Sequence, residues 1–175
     1  MATSRATPRV GVSSCLLGAT VRYDGRHKRD EAVVELGRRV ELVPVCPEVE
    51  AGMGAPREPV RLLRLDGRPH VRGGSTGTDH TEAMARFSAR RLDELVAGGL
   101  HGYVLKSRSP SCGLDVPLFD DRGAEVGRVA GLFAAALLVR LPGLPIVEEE
   151  SLRDPPERER FVARVFAFAA AASTA

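Results

Sequence analysis

Short apolar runs alternate with amphipathic segments along most of the chain. Runs rich in β-branched residues that end in small or polar residues predict buried strands, and segments with one apolar side predict helices. The expected strands span residues 9–15, 40–45, 103–106 and 146–147, and the expected helices span 30–39, 79–96, 127–140 and 156–171. Strands that alternate with helices of this length favour parallel βαβ units.

One segment departs from this alternation. Residues 59–72 predict a β-hairpin, because apolar strand residues flank an Asp66-Gly67 turn. The expected fold is therefore α/β, with an open, mainly parallel sheet flanked by helices in a Rossmann-like three-layer arrangement and a β-hairpin insertion. We expect residues 1–8 to form a disordered tail and residues 9–175 to form a single domain.

The composition and charge of the chain indicate which kinds of binding partner it is suited to. The chain has 175 residues, 43% of them apolar, which suffices for one well-buried core. A net charge of +2 is too small to provide the broad positive field that nucleic acid or an anionic membrane requires. The chain has neither a membrane-spanning apolar run nor a secretory signal, so we expect a cytoplasmic protein. Only Lys28 and Lys106 are lysines among the 25 basic residues, which suggests position-specific roles for both.

The three cysteines fall at or just after three of the expected strands. They are Cys15, Cys46 and Cys112. An odd number of cysteines cannot form a closed set of disulfides, and their wide separation does not match a zinc knuckle or a CxxC redox pair. In an open parallel sheet, ligands bind beyond the carboxyl ends of the strands. We therefore expect all three thiols to meet in one reactive site.

Cysteine thiolates are the usual ligands of iron-sulfur clusters. Three thiolates on a 4Fe-4S cluster leave one iron without a protein ligand, and such an iron can act as a Lewis acid toward a substrate atom, preferably sulfur. Two alternatives remain open from the cysteines alone. One is a non-catalytic iron-sulfur or zinc module that senses oxygen or stores metal, and the other is a globular domain with buried free thiols.

Four motifs carry a resemblance to a known family, and their order and spacing extend over about residues 9 to 150. They are Ser14-Cys15-Leu16-Leu17-Gly18 followed by Val21-Arg22-Tyr23-Asp24-Gly25; Cys46-Pro47-Glu48-Val49 followed by Gly52 and Pro56-Arg57; Gly77-Thr78-Asp79-His80-Thr81; and Leu105-Lys106-Ser107-Arg108-Ser109-Pro110-Ser111-Cys112-Gly113. Together they resemble the thiouracil desulfidase (TudS-like) family. The resemblance implies an oxygen-sensitive 4Fe-4S cluster bound by the three cysteines.

The activity that the resemblance implies is non-redox removal of sulfur from a thiolated pyrimidine such as 2- or 4-thiouracil. The open iron would bind the thiocarbonyl sulfur, water would attack the carbon, and sulfur would leave as hydrosulfide, a hydrolase- or lyase-type cleavage of a carbon–sulfur bond. A carboxylate can move the protons, and Glu48 is the candidate, with Glu50 as the alternative. Ser109 is the second catalytic candidate, since its hydroxyl could position water or the base.

The remaining candidates are polar residues within the motifs. We expect a substrate-binding role for six of them: Tyr23, Asp24, Lys28, Arg57, Lys106 and Ser111. The expected partner is a small thiolated base. Rival functions are desulfuration of another thio-compound, turnover of tRNA thionucleosides, and the non-catalytic iron-sulfur module, which would not need Glu48 or the Ser109 loop.

Overall fold

The strands that precede the cysteines lie side by side in one parallel sheet. We describe a computed structural model, which covers residues 7–173. The strands of the parallel sheet are β1 (Arg9–Ser13), β2 (Glu41–Val45), β5 (Leu100–Leu105) and β8 (Ile146–Glu148). Their spatial order is β2-β1-β5-β8, with β1 paired to both β2 and β5. Val10 and Val12 in the centre are fully buried, as expected for a strand covered on both faces.

Helices cover both faces of this sheet. They are α1 (Glu31–Leu36), α2 (Thr81–Ala97), α3 (Leu132–Arg140) and α4 (Pro155–Ala172). Residues of α1 and α4, among them Val33 and Phe161, pack with Val10 in one core cluster. Residues of α2 and α3, among them Phe87 and Phe133, pack in another. The three-layer α/β prediction is confirmed.

The hairpin is also confirmed, but it belongs to a second sheet. It consists of β3 (Val60–Leu65) and β4 (Arg68–Gly73), joined at Asp66-Gly67. A second hairpin, β6 (Val116–Phe119) and β7 (Glu125–Val129), adds to it and gives the order β4-β3-β6-β7. Leu62, Val71, Val116 and Leu118 form the small core of this mixed sheet.

The prediction of a helix over residues 127–140 is therefore wrong in its first part. Residues 125–129 form β7, which pairs antiparallel with β6, and α3 begins at Leu132. Val129 pairs with Val116 and packs against the small core, so tertiary pairing decides the structure of this segment. Gly131, directly before α3, has extended backbone angles, so the helix does not continue into the residues that precede it.

The two ends of the chain complete the fold. Most of the predicted disordered tail, residues 1–6, lies outside the described residues. Pro8 is buried, and its carbonyl accepts a hydrogen bond of 2.9 Å from the Glu41 N–H. Within residues 7–173, no helix combines the length and the apolar character that crossing a membrane would require.

Candidate active site

The ends of three adjacent parallel strands place the three cysteines around one cavity. Cys15 lies in a short 3-10 turn directly after β1, Cys46 directly follows β2, and Cys112 lies in the loop after β5. Because these strands are parallel neighbours, their carboxyl ends share one edge of the sheet. The cavity there has a volume of about 490 Å³, and all three cysteines line it.

The loop that carries Cys112 is held by backbone hydrogen bonds. The hydroxyl oxygen of Ser109 accepts from the N–H groups of Ser111 (3.3 Å) and Cys112 (3.1 Å). At the start of α3, Phe133 donates its N–H to the Ser111 carbonyl at 3.0 Å. Gly131 makes this approach possible, since a Cβ there would lie 2.5 Å from the Ser111 carbonyl carbon. The helix start thus fixes the loop, and Ser109 lies on the cavity wall.

The thiols are unpaired and strongly shielded from water. Cys15 and Cys112 are buried, and Cys46 is half-buried. Burial, together with the nearby Cys46 sulfur, raises the pKa of the Cys15 thiol to about 11. Burial also raises the pKa of Cys46 and that of Cys112, where a hydrogen bond from Ser13 acts in the opposite direction. Three thiolates at this site therefore need a bound cation to stabilise them, and binding it would release their protons.

The donor set fits a cluster better than a single ion. Among residues 7–173, no three histidine, cysteine, aspartate or glutamate side chains converge closely enough to hold one metal ion. The three thiols instead surround a shared cavity. A four-iron cluster spreads its irons over more space than one ion, so its thiolate ligands stand further apart.

Glu48 lies on the cavity wall in a fixed orientation. Its Oε2 accepts hydrogen bonds from Arg57 Nε at 2.8 Å and from Arg57 Nη2, and its Oε1 accepts from the Ser111 hydroxyl at 2.9 Å. Both side chains of the ion pair are largely buried, with 12% of Glu48 and 8% of Arg57 exposed. Arg57 is itself held by Nη1, which donates to the carbonyls of Val21 and Gly54. Every nitrogen of Arg57 thus has a partner within the protein.

Glu50, the alternative carboxylate, is directed elsewhere. Its Oε1 accepts the Cys46 N–H at 2.8 Å, and its Oε2 lies 3.5 Å from Arg91 Nε. It does not line the cavity, whereas Glu48 does. Of the two candidates, only Glu48 can therefore contact a molecule in the cavity directly.

Sequence reasoning missed a second carboxylate centre, around Glu149. Glu149 is 1% exposed and accepts from Lys106 Nζ at 2.5 Å, from the Ser107 N–H at 2.7 Å and from the Ser107 hydroxyl at 2.9 Å. The signal in the sequence was three successive glutamates, Glu148 to Glu150, of which the first ends the last strand of the parallel sheet and the other two follow it. Their position at the same strand edge as the cysteines would have drawn attention to them.

Most of the other candidates also reach the cavity. Tyr23, Lys28, Arg57, Lys106 and Ser109 line it, but Asp24 and Ser111 do not. Asp24 pairs with Arg22 at 3.2 Å and accepts the Arg26 N–H at 3.0 Å.

Positive side chains dominate the polar lining of the cavity. Among residues 7–173, Glu48 is the one carboxylate in the lining and five cationic residues contribute to it: Arg22, Lys28, Arg57, Lys106 and Arg108. The guanidinium of Arg22 lies 5.3 Å from the centre of the Tyr23 ring, a cation–π contact. The cavity is therefore suited to a ligand with negative charge, which a thiolate-bound iron-sulfur cluster carries.

Comparison with known proteins agrees with this geometry. A family model described as 2-thiouracil desulfurase matches residues 10–150. The uncharacterized protein YbbK of Bacillus subtilis (strain 168) is 31% identical over 149 residues, which cover 82% of this chain and 97% of that relative. A solved structure described as the 4Fe-4S-dependent thiouracil desulfidase TudS has a TM-score of 0.66 and 33% identity, covering 84% of this chain and 94% of that one. This chain belongs to the 2-thiouracil desulfurase family.

Proposed function

We propose that this protein removes sulfur from a thiolated pyrimidine, such as 2- or 4-thiouracil, without net redox change. Water supplies the oxygen that replaces sulfur, and sulfur leaves as hydrosulfide. The observation that carries the proposal is the placement of Cys15, Cys46 and Cys112 on one cavity, with Glu48 on its wall. Family membership and the printed description of the solved TudS structure support the same activity.

Cys15, Cys46 and Cys112 would hold a 4Fe-4S cluster in this cavity. With three thiolate ligands, such a cluster would supply Lewis-acid chemistry toward a soft atom such as a thiocarbonyl sulfur. The convergence of the three thiols on one cavity supports this assignment. The cationic residues that line the cavity offset the negative charge of the bound group.

Glu48 is the residue that would move protons. As a carboxylate it can accept a proton from the attacking water and return it to the ring nitrogen or to the departing sulfur. Arg57 and Ser111 hold both of its oxygens, so the carboxylate cannot turn away from the cavity. In this mechanism Arg57 and Ser111 orient Glu48.

Ser109 and Tyr23 would orient the base. The Ser109 oxygen already accepts two backbone N–H groups, so its own proton can be donated to the substrate or to water. Tyr23 lines the cavity with an aromatic ring, and part of it is exposed. A planar pyrimidine can stack on such a ring. Lys28 also lines the cavity and can contact an oxygen of the base.

The cellular setting is part of the proposal. Three free cysteines are typical of a reducing compartment, which supports a cytoplasmic location. The small net charge favours a free thiolated base over a nucleic acid as the partner.

Anaerobic reconstitution with iron and sulfide tests the proposal. We expect about four irons per chain, a brown colour, and release of sulfide and uracil in equal amounts from thiouracil. Cys112→Ala is the matched control and should bind much less iron. An iron-free product would contradict the cluster. A loaded protein that releases no sulfide from thiouracil would favour the non-catalytic module, or a different thio-compound as substrate.

A further inference from the structure

The buried carboxylate of Glu149 lies behind the cavity wall and contacts two residues at the start of the Cys112 loop. Its three hydrogen bonds come from Lys106 Nζ, the Ser107 N–H and the Ser107 hydroxyl. Its side chain is 2% exposed, and it does not line the cavity. Glu149 therefore cannot contact a substrate, and any effect on the reaction must pass through its partners.

Lys106 is the partner that reaches the cavity. Its ammonium group has three protons, and it has three acceptors within the protein: Glu149 Oε1 at 2.5 Å, the Ser107 carbonyl at 2.9 Å and the Ser107 hydroxyl at 3.0 Å. All three acceptors belong to the protein and fix the ammonium group in place. Lys106 also lines the cavity, so its positive charge is held at the cavity wall.

That charge lies on the same cavity as the cysteines, since Lys106, Cys15, Cys46 and Cys112 all line it. Lys106 is also tied to the sheet, because its backbone N–H donates to the Ser13 hydroxyl oxygen at 3.0 Å. The residue is therefore held both at its backbone and at its ammonium group, on the wall of the cavity in which the proposed reaction would occur.

Stability alone does not account for this pair. A buried ion pair loses much of its attraction to the cost of removing both charges from water, and apolar residues of similar volume often stabilise a protein as well or better. A buried lysine–glutamate pair at the wall of a reactive cavity is better explained by a need for fixed charge there.

We propose that Glu149 is a positioning residue for desulfuration, which holds Lys106 as a fixed positive charge on the cavity wall. This inference rests on the proposed function. The charge would stabilise the negative charge that develops as the carbon–sulfur bond breaks and hydrosulfide leaves. Lys106 would then act as an electrostatic group instead of a substrate-binding residue, and Glu149 would act through it.

A double-mutant cycle tests this inference on the loaded enzyme. The variants are Glu149→Gln, Lys106→Met and the combination of the two, with Glu150→Gln as the matched control on the adjacent residue. Each single variant should lower kcat about 10²-fold, with KM changed less than threefold, since the charge acts mainly in the transition state. The double variant should be no slower than Lys106→Met. Glu150→Gln should retain kcat within about twofold of wild type, because its partner Arg108 is 74% exposed and water screens that charge.

Iron content and the unfolding midpoint of the iron-free protein are measured on the same variants. We expect unchanged iron content, and a double variant more stable than Glu149→Gln, in which the Lys106 charge is left without its partner. Additive losses in kcat and in stability would overturn the positioning role. A higher KM with normal kcat in Lys106→Met would show that Lys106 binds the substrate directly and would also overturn it.

The outcomes separate this inference from the proposed function. A wild-type enzyme that releases no sulfide from thiouracil would reject the proposed function. An active wild type whose Glu149→Gln variant keeps normal kcat would reject the positioning role alone. If Glu149→Gln fails to fold, Lys106→Met still tests the positioning role. The inference requires that this variant has a lower kcat and an unchanged KM.

Discussion

Two buried carboxylates, Glu48 and Glu149, are bound in similar ways but differ in what they can reach. Each accepts hydrogen bonds from one cationic side chain and one serine hydroxyl, Arg57 with Ser111 and Lys106 with Ser107. Glu48 lines the cavity, and Glu149 does not.

The difference lies in whether the carboxylate of each ion pair reaches the cavity. At the first centre both Arg57 and Glu48 line the cavity. At the second centre Lys106 lines it and the carboxylate of Glu149 lies behind the wall. The same pairing of charges therefore suits two different proposed roles, proton transfer at Glu48 and a fixed positive charge at Lys106.

The largest expected effect is that of Glu48→Gln. The amide keeps the size of the side chain but cannot accept a proton, so kcat for sulfide release should fall about 10²- to 10⁴-fold. Iron content should stay at the wild-type level, because Glu48 is not among the proposed ligands. Steady-state kinetics and iron analysis of the same preparation test the predicted kcat and the predicted iron content. Sulfide release close to the wild-type rate would remove Glu48 from the mechanism.

The position of the cysteines was predictable because parallel strands impose it. Apolar runs that end at or just before Cys15 and Cys46 were sufficient to place both at strand ends, and parallel order brings such ends to one edge. The second sheet was not predictable in the same way. Segment 125–129 is too short and too polar to signal a strand by itself, and its structure depends on pairing with residues 116–119.

The partners of the two carboxylates were beyond sequence reasoning for a related reason. Motifs indicated that Arg57 and Ser111 belong near the site, but the sequence does not show what their donors contact. Glu48 and Ser111 lie far apart in the chain, and the fold brings them to 2.9 Å. The choice of Glu149 from three successive glutamates likewise depends on which side chain points inward at the end of β8.

The second-largest effect should come from Arg57→Lys, which tests whether Glu48 depends on its partner. Lysine keeps the charge, but it cannot reproduce the planar contacts with the carboxylate and with the carbonyls of Val21 and Gly54. Misplacement of Glu48 should lower kcat about 10²-fold, with a smaller change in KM. A rise in KM with unchanged kcat would instead indicate that Arg57 contacts the substrate.

A smaller effect on kcat is expected from alanine substitutions of the serines that bind the two carboxylates, Ser111 and Ser107. Ser111→Ala and Ser107→Ala each remove a hydrogen bond to a buried carboxylate, so each should lower the free energy of unfolding by about 1.5–3 kcal/mol. Their effects on the reaction should differ. Ser111→Ala loosens Glu48 and should lower kcat about tenfold, equivalent to about 1.4 kcal/mol. Ser107→Ala should change kcat less, since Glu149 and the Ser107 carbonyl still hold Lys106.

The smallest effect is expected from Glu50→Gln, the matched control for Glu48→Gln. Glu50 accepts the Cys46 N–H at 2.8 Å, and the amide oxygen of glutamine can accept it equally well. The lost ion pair with Arg91 is long and partly exposed, and such pairs contribute about 0–1 kcal/mol. The rate of sulfide release and the iron content should therefore stay within about twofold of wild type. A large loss of kcat in Glu50→Gln with normal activity in Glu48→Gln would reverse the assignment, and the carboxylate behind Cys46 would then be the one that moves the proton.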